Sequence, residues 1–197
     1  KWEVRWKGDV LDGSHKQQVA TKLVGAPRTP FAFHMELEMV VPAWVQDITP
    51  EKVALMSPAE RTEAENMGVG YRIEQLFRGH GELTIDGATR SFNCNGSRIH
   101  RQSVRPLGGF RGHCWQSAVF PDGRAFAYIA YPPREDGSEA YNDGYVYLDG
   151  AWHLAKARQI PWLRDIRFEG DDVSVELETA KGTYRIAGTT MLSTFRV

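Results

Sequence analysis

The sequence predicts a mainly β, antiparallel domain closed into a barrel around a cavity, with one short helix. Three observations carry that expectation. Apolar residues recur every two positions along most of the chain rather than every 3.6. Turn residues interrupt these runs at short intervals. The dipeptides Asp86-Gly87, Asp122-Gly123, Asp149-Gly150 and Lys181-Gly182 sit between consecutive runs, where residues tolerant of positive φ permit tight hairpins. About a dozen strands in one domain favour a closed barrel or a sandwich, because closure removes unpaired strand edges, and a barrel with an enclosed cavity is the first expectation.

Taken in order, strands are expected at Trp2 to Trp6, Gln17 to Val24, Ala32 to Val41, Val69 to Arg78, Glu82 to Ile85, Thr89 to Asn93 and Arg98 to Arg105. They continue at His113 to Phe120, Arg124 to Tyr131, Gly144 to Leu148, Ala151 to Arg158, Asp165 to Glu169, Val173 to Thr179 and Thr183 to Thr189. The helix starts at Ser57-Pro58-Ala59-Glu60, with a Ser cap, Pro at the first helical position and Glu poised for a capping box, and Gly68 can end it. A shorter turn starts at Thr49-Pro50-Glu51. No repeat, low-complexity tract or linker divides the chain, so residues 1–197 read as one barrel-like domain.

Composition narrows the function. A chain of 197 residues, 42% apolar and 25% charged with mean hydropathy −0.43, has enough apolar matter for its own core. Its apolar runs are only a few residues long, so no membrane-spanning helix is expected. Lys1-Trp2-Glu3-Val4-Arg5 lacks a signal-peptide pattern, which favours the cytoplasm and is consistent with a missing native start. The 24 basic and 25 acidic residues leave a net charge of −1, which predicts no general affinity for nucleic acid or membrane. Cys94 and Cys114 are too few for a disulfide framework or a four-thiolate zinc site and read as reduced core residues. No nucleophile elbow, P-loop, dinucleotide fingerprint, zincin motif or C-x-x-C pair occurs. The six histidines never fall two residues apart on one strand. Neither a metal nor another cofactor is therefore expected.

The segment from Gly87 to Pro121 stands apart, because it contains no Asp or Glu but carries Arg90, Arg98, Arg101, Arg105, Arg111, His100 and His113. Strand alternation puts Arg98, His100, Gln102 and Val104 on one face if no bulge intervenes. Guanidinium groups hold oxyanions, and an imidazole between them could move a proton near neutral pH. The alternative is that these arginines pair with Glu74, Glu82, Asp122 or the acidic stretch from Asp165 to Glu178 on neighbouring strands. If Glu74 faces inward it needs a partner such as an Arg or His, since an unpaired buried carboxylate costs several kcal/mol or protonates. Aromatics crowd the region from Trp115 to Trp152, and Trp115, Tyr131 and Tyr145 are candidate ligand contacts in a barrel cavity. Tyr128 and Tyr131 lie on opposite faces of their strand, so at most one of them points into such a cavity.

Three segments, Tyr71-Arg72-Ile73-Glu74-Gln75, Gly79-His80-Gly81-Glu82-Leu83-Thr84-Ile85-Asp86-Gly87, and Gly96-Ser97-Arg98-Ile99-His100 up to Arg105, carry a family resemblance. Together they resemble the carotenoid hydratase and AttH-like, lipocalin-related (calycin) proteins. In those proteins a D-G turn is followed by a pattern like G-x-R-D-H-S-W-G-x-R, which Gly96, Arg98, His100 and Arg105 match here without a gap. Ile99 stands where that pattern has Asp, and Arg101-Gln102-Ser103 where it has Ser-Trp-Gly. Trp115, the Phe120 to Arg124 turn, Gly144-Tyr145-Val146 and the hairpin through Tyr184-Arg185-Ile186 extend the likeness, which is loose over the first fifty residues. Family members often have two barrel-like halves, so the resemblance implies the C-terminal half of such a protein, with a second barrel domain or a homo-oligomer as partner. It also implies a cofactor-free lyase, hydratase or isomerase acting on a hydrophobic small molecule, terpenoid or aromatic. His100 would transfer a proton, Arg98 or Arg105 would stabilise negative charge, and Glu74 would orient the imidazole. The rival expectation is a non-catalytic lipocalin-like binding protein for an apolar ligand. A third reading is a basic-patch domain for an acidic partner.

Overall fold

The computed structural model describes residues 1–20, 22–46, 50–66, 71–104, 110–165 and 167–193. The described residues are mainly β, in two antiparallel sheets, one of them a curled half-barrel. The first sheet contains β1 (Trp2–Leu11), β2 (Arg28–Met39), β3 (Trp44–Gln46), β4 (Arg72–Ile85) and β5 (Ala88–Arg101). β4 lies at its centre, with β5 along one edge and both β2 and β3 along the other. The break between β2 and β3 falls at Val41-Pro42-Ala43, where proline offers no N–H to a ladder.

β4 and β5 are longer than the sequence suggested. Each was expected as two strands divided near Gly79-His80-Gly81 or Asn95-Gly96, whereas one unbroken register runs from Arg72↔Arg101 to Ile85↔Ala88. The glycines mark close approach rather than breaks. A Cβ on Gly81 would lie 2.1 Å from the His34 carbonyl oxygen, and one on Gly96 would lie 2.5 Å from the Phe77 ring. At the end of this hairpin Asp86 and Gly87 both take positive φ, 47° and 80°, the primed turn that Asp-Gly favours.

The second sheet is a six-stranded meander of β6 (Cys114–Val119), β7 (Ala125–Ala130), β8 (Asn142–Leu148), β9 (Ala151–Ala157), β10 (Val175–Thr179) and β11 (Gly182–Ile186). Its outer strands β6 and β11 line a common groove, so the sheet curls strongly. Among the described residues it does not close, which corrects the expected closed barrel. Beyond β11 the hairpin with β10 continues in the same register, Val173 N–H donating to the Gly188 carbonyl and Thr190 N–H to the Asp171 carbonyl, both at 2.9 Å, while the cleft lined by Gln116 and Ile186 holds β6 and β11 apart.

Among the described residues helix content also departs from expectation, with three short helices in place of one. α1 (His15–Val19) replaces the predicted strand from Gln17, because Ser14 and Gln17 form a reciprocal capping box. α2 (Pro50–Leu55) occupies the expected turn, and α3 (Pro58–Asn66) is the predicted helix, capped by Ser57 and Glu60. α3 is fastened to the second sheet by Glu63, which accepts from the Tyr141 N–H at 3.0 Å and pairs with Arg134 at 3.1 Å. The strand expected at Asp165 to Glu169 is absent from its described residues. There the Asp171 carboxylate accepts from both the backbone and the side chain of Arg167 and holds a local loop.

The core has two parts, one on each face of the second sheet. Between the sheets, Val41, Trp44 and Leu76 pack on Ala127, Ile129, Tyr131, Tyr141 and Tyr145. Inside the curl, Phe126, Tyr128, Val146, Val175 and Leu177 fill the interior. β7 is accordingly buried at every position, and Tyr128 and Tyr131 go to opposite faces as alternation requires.

Candidate functional site

Alternation along β4 sends Arg72, Glu74 and Leu76 to the face that meets the second sheet, and Glu74 is fully buried there. A carboxylate in that position must be compensated. Arg72 Nη2 donates to Glu74 Oε2 at 2.7 Å, while Nη1 donates to Gln46 Oε1 at 3.0 Å. Trp115 Nε1 donates to the other carboxylate oxygen at 3.2 Å, and the Arg72 guanidinium carbon lies 5.4 Å from the Trp115 ring centroid. Burial raises the Glu74 carboxyl above its ordinary 4.5, against the pull of Arg72, the Trp115 N–H and the nearby Ser97 hydroxyl. Ser97 Oγ approaches the carboxylate without reaching hydrogen-bond geometry.

This shift has a sign that can be measured. A carboxyl with a folded-state pKa above 4.5 binds more protons in the folded chain, so its contribution to stability falls as pH rises from below 4.5 through the raised value. Urea titrations of wild type and Glu74→Gln across that range are expected to show the wild type losing stability relative to the variant as pH rises. Parallel curves would contradict the assignment.

The candidate residues divide between two faces. Glu74, Trp115, Tyr131 and Tyr145 gather between the sheets. Arg98 and His100 do not join them, because the β4–β5 register pairs Gln75 with Arg98 and Ile73 with His100, on the face opposite Glu74. Arg98 stacks on Trp2 with its guanidinium carbon 4.2 Å from the ring centroid, and His100 is exposed. Arg105 lies outside the described residues. The expected proton-transfer set of His100, Arg98 and Glu74 is therefore separated by the thickness of the sheet.

Several clefts lie beside the strand ends. One of about 900 Å³ is walled by Trp115, Pro161, Trp162 and Leu163, with Arg111, His113 and Arg164 among its polar groups. Another of about 480 Å³ lies between β6 and β11 and shares Trp115, Gln116 and Val173 with the first. Trp115 thus stands where the two meet, 38% exposed, with its N–H anchored from behind by Glu74. Tyr131 borders a third cleft of about 600 Å³ beside Arg111 and Arg134. Tyr145 has no exposed surface and is wedged between Trp44 and Trp152, with ring centroids 5.1 and 5.4 Å away, which makes it a packing residue. Cys114, on the wall of the 900 Å³ cleft, is a free thiol whose Sγ lies 3.2 Å from Tyr128 Oη, and burial pushes its pKa up.

Arg72 and Gln46 were not among the expected site residues. Arg72 was legible in principle, since it sits two residues from Glu74 on the same strand face. Gln46 has no local signal, because only tertiary pairing of β3 with β4 brings it there. Of the acid-free segment, Arg111 pairs with Glu63 at 3.3 Å, a partner on α3 and not one of the expected strands. The chain matches no family model, no curated protein and no solved structure.

Proposed function

We propose that the protein binds a hydrophobic small molecule at the open seam of the six-stranded sheet and does not transform it. The observation that supports this most is the position of Trp115, where two apolar clefts meet and a buried ion pair fixes the indole. An aromatic side chain held rigid before the ligand arrives loses little entropy on binding. The volumes, about 480 and 900 Å³, suit a ligand of drug or terpenoid size. The lipocalin-related reading of the fold belongs to this proposal: a curled antiparallel sheet with an apolar opening suits a carrier or sensor.

Acid/base turnover by His100 with Arg98 and Glu74 receives less support, since a proton relay needs its members within hydrogen-bond reach. The direct test is titration with neutral 1-anilinonaphthalene, read by fluorescence, followed by displacement with terpenoid and aromatic compounds. Saturable, one-site, displaceable binding with no change in the compound recovered is the expected result. Non-saturable binding, or conversion of a displacing compound that is lost in His100→Ala, would overturn the proposal.

A further inference from the structure

The two clefts that share Trp115 differ in charge. Among the described residues the smaller one has no charged side chain on its wall, which is chiefly Phe120, Phe126, Val173 and Ile186. The larger one has no Asp or Glu either, and Arg111, His113 and Arg164 are its titratable groups apart from the Cys114 thiol. Trp115, Gln116 and Val173 line both, so an apolar, neutral cleft adjoins a basic one. The basic groups differ in how far they are already compensated. Arg111 donates to the Pro132 and Pro133 carbonyls and pairs with Glu63 at 3.3 Å, and Glu63 also pairs with Arg134 at 3.1 Å, so one carboxylate serves two guanidinium groups. Arg164 is exposed and makes no ion pair among the described residues, and Asp165, next to it in the chain, is not part of the wall. Beyond Phe120 and Ile186 a further cleft holds Arg124 and Arg185, but Arg124 pairs with Asp122 at 2.7 Å and Arg185 stands opposite Glu176 in the β10–β11 register.

We infer that the ligand of the seam is an amphipathic acid, an apolar body with one carboxylate at its end. The body lies against Trp115 and the neutral cleft, and the carboxylate sits at the basic end with Arg164 as its partner. A neutral ligand filling both clefts would strip water from the basic groups and offer nothing in exchange. A carboxylate in the same place replaces that water with charge-assisted hydrogen bonds, which a guanidinium can make in pairs. Walls without acidic groups also concentrate the positive potential that draws an anion in. This ligand class rests on the seam being a binding site, as proposed.

Displacement of neutral 1-anilinonaphthalene from the full chain by decanoate, decylamine and decanol tests it, since the three share an apolar tail and differ in the charge of the head. Decanoate is expected to displace the probe at a concentration at least about tenfold below that of decylamine. Arg164→Gln removes an exposed charge with no ion pair to lose, and is expected to cut that preference at least about threefold, as is added salt. Decanol and the probe itself are expected to bind the variant as they bind the wild type. Lys7→Gln, the same loss of charge at an exposed position of β1, is expected to keep the preference. Equal displacement by decanoate and decylamine while decanol still competes overturns the acid and leaves the apolar seam standing. So does a preference that survives Arg164→Gln or falls as far in Lys7→Gln. A probe that does not bind saturably overturns the seam and the ligand class together.

Discussion

Arg72→Met is expected to destabilise the fold by about 3–5 kcal/mol, because it leaves Glu74 ionised, buried and without its counter-charge. Both side chains are all but inaccessible, 5% and 0% exposed, so water cannot replace the lost partner. The variant loses the 2.7 Å ion pair, the bond to Gln46 and the stack on Trp115 together. Urea denaturation at neutral pH measures the loss, which shrinks at low pH where Glu74 takes up a proton. The double variant Arg72→Met with Glu74→Leu is expected to regain most of the stability, since removing both members also removes the desolvation cost. A single-variant loss under about 1 kcal/mol would mean that the pair is solvated and the buried node described here does not exist.

Trp115→Ala is expected to weaken ligand binding by about thirtyfold or more, in line with roughly 2 kcal/mol for a central aromatic anchor. Trp115 lines both clefts, and removing its indole also takes a hydrogen bond from the buried Glu74 carboxylate. Glu74→Gln keeps an oxygen that can accept the indole N–H, and a loss of only a few-fold is expected there. This ordering identifies the anchor: if the carboxylate rather than the indole held the ligand, the Gln variant would be the more damaging of the two. Titration of both variants with 1-anilinonaphthalene, alongside their thermal midpoints, distinguishes lost contact from lost fold.

Much of the fold was legible because its signals are local. Asp86-Gly87 and Asp149-Gly150 placed two hairpins through their left-handed φ values, and period-two alternation located the strands of the meander. The capping box of α1 was equally local but was hidden by apolar residues that also fit a strand. What failed was tertiary. The glycines of β4 and β5 looked like breaks until the neighbouring strands showed why no Cβ fits there. Barrel closure could not be decided from strand count, because the separation of the outer strands β6 and β11, which face each other across a cleft, is set by tertiary packing.

The site was legible in part for the same reason. The inward direction of Glu74 and its need for a basic partner followed from alternation and from the cost of burying charge. The identity of that partner did not, since attention to the acid-free segment favoured Arg98 and His100 over Arg72, two residues away on the same strand. Parity within β5 was read correctly, yet parity alone does not say which face of β5 meets which face of β4. The Gln75↔Arg98 pairing settles that, and it places the two basic groups away from Glu74.

Ligand-dependent alkylation of the two cysteines tests the seam most directly. Cys114 lies on the wall of the larger cleft and Cys94 on the face of the other sheet opposite Glu74, so each reports on its own surface. Saturating a bound apolar compound and following iodoacetamide labelling by peptide mass spectrometry is expected to slow modification of Cys114 at least several-fold while Cys94 reacts unchanged. Protection of Cys94 alone, or unchanged labelling at both under demonstrated saturation, would contradict the account.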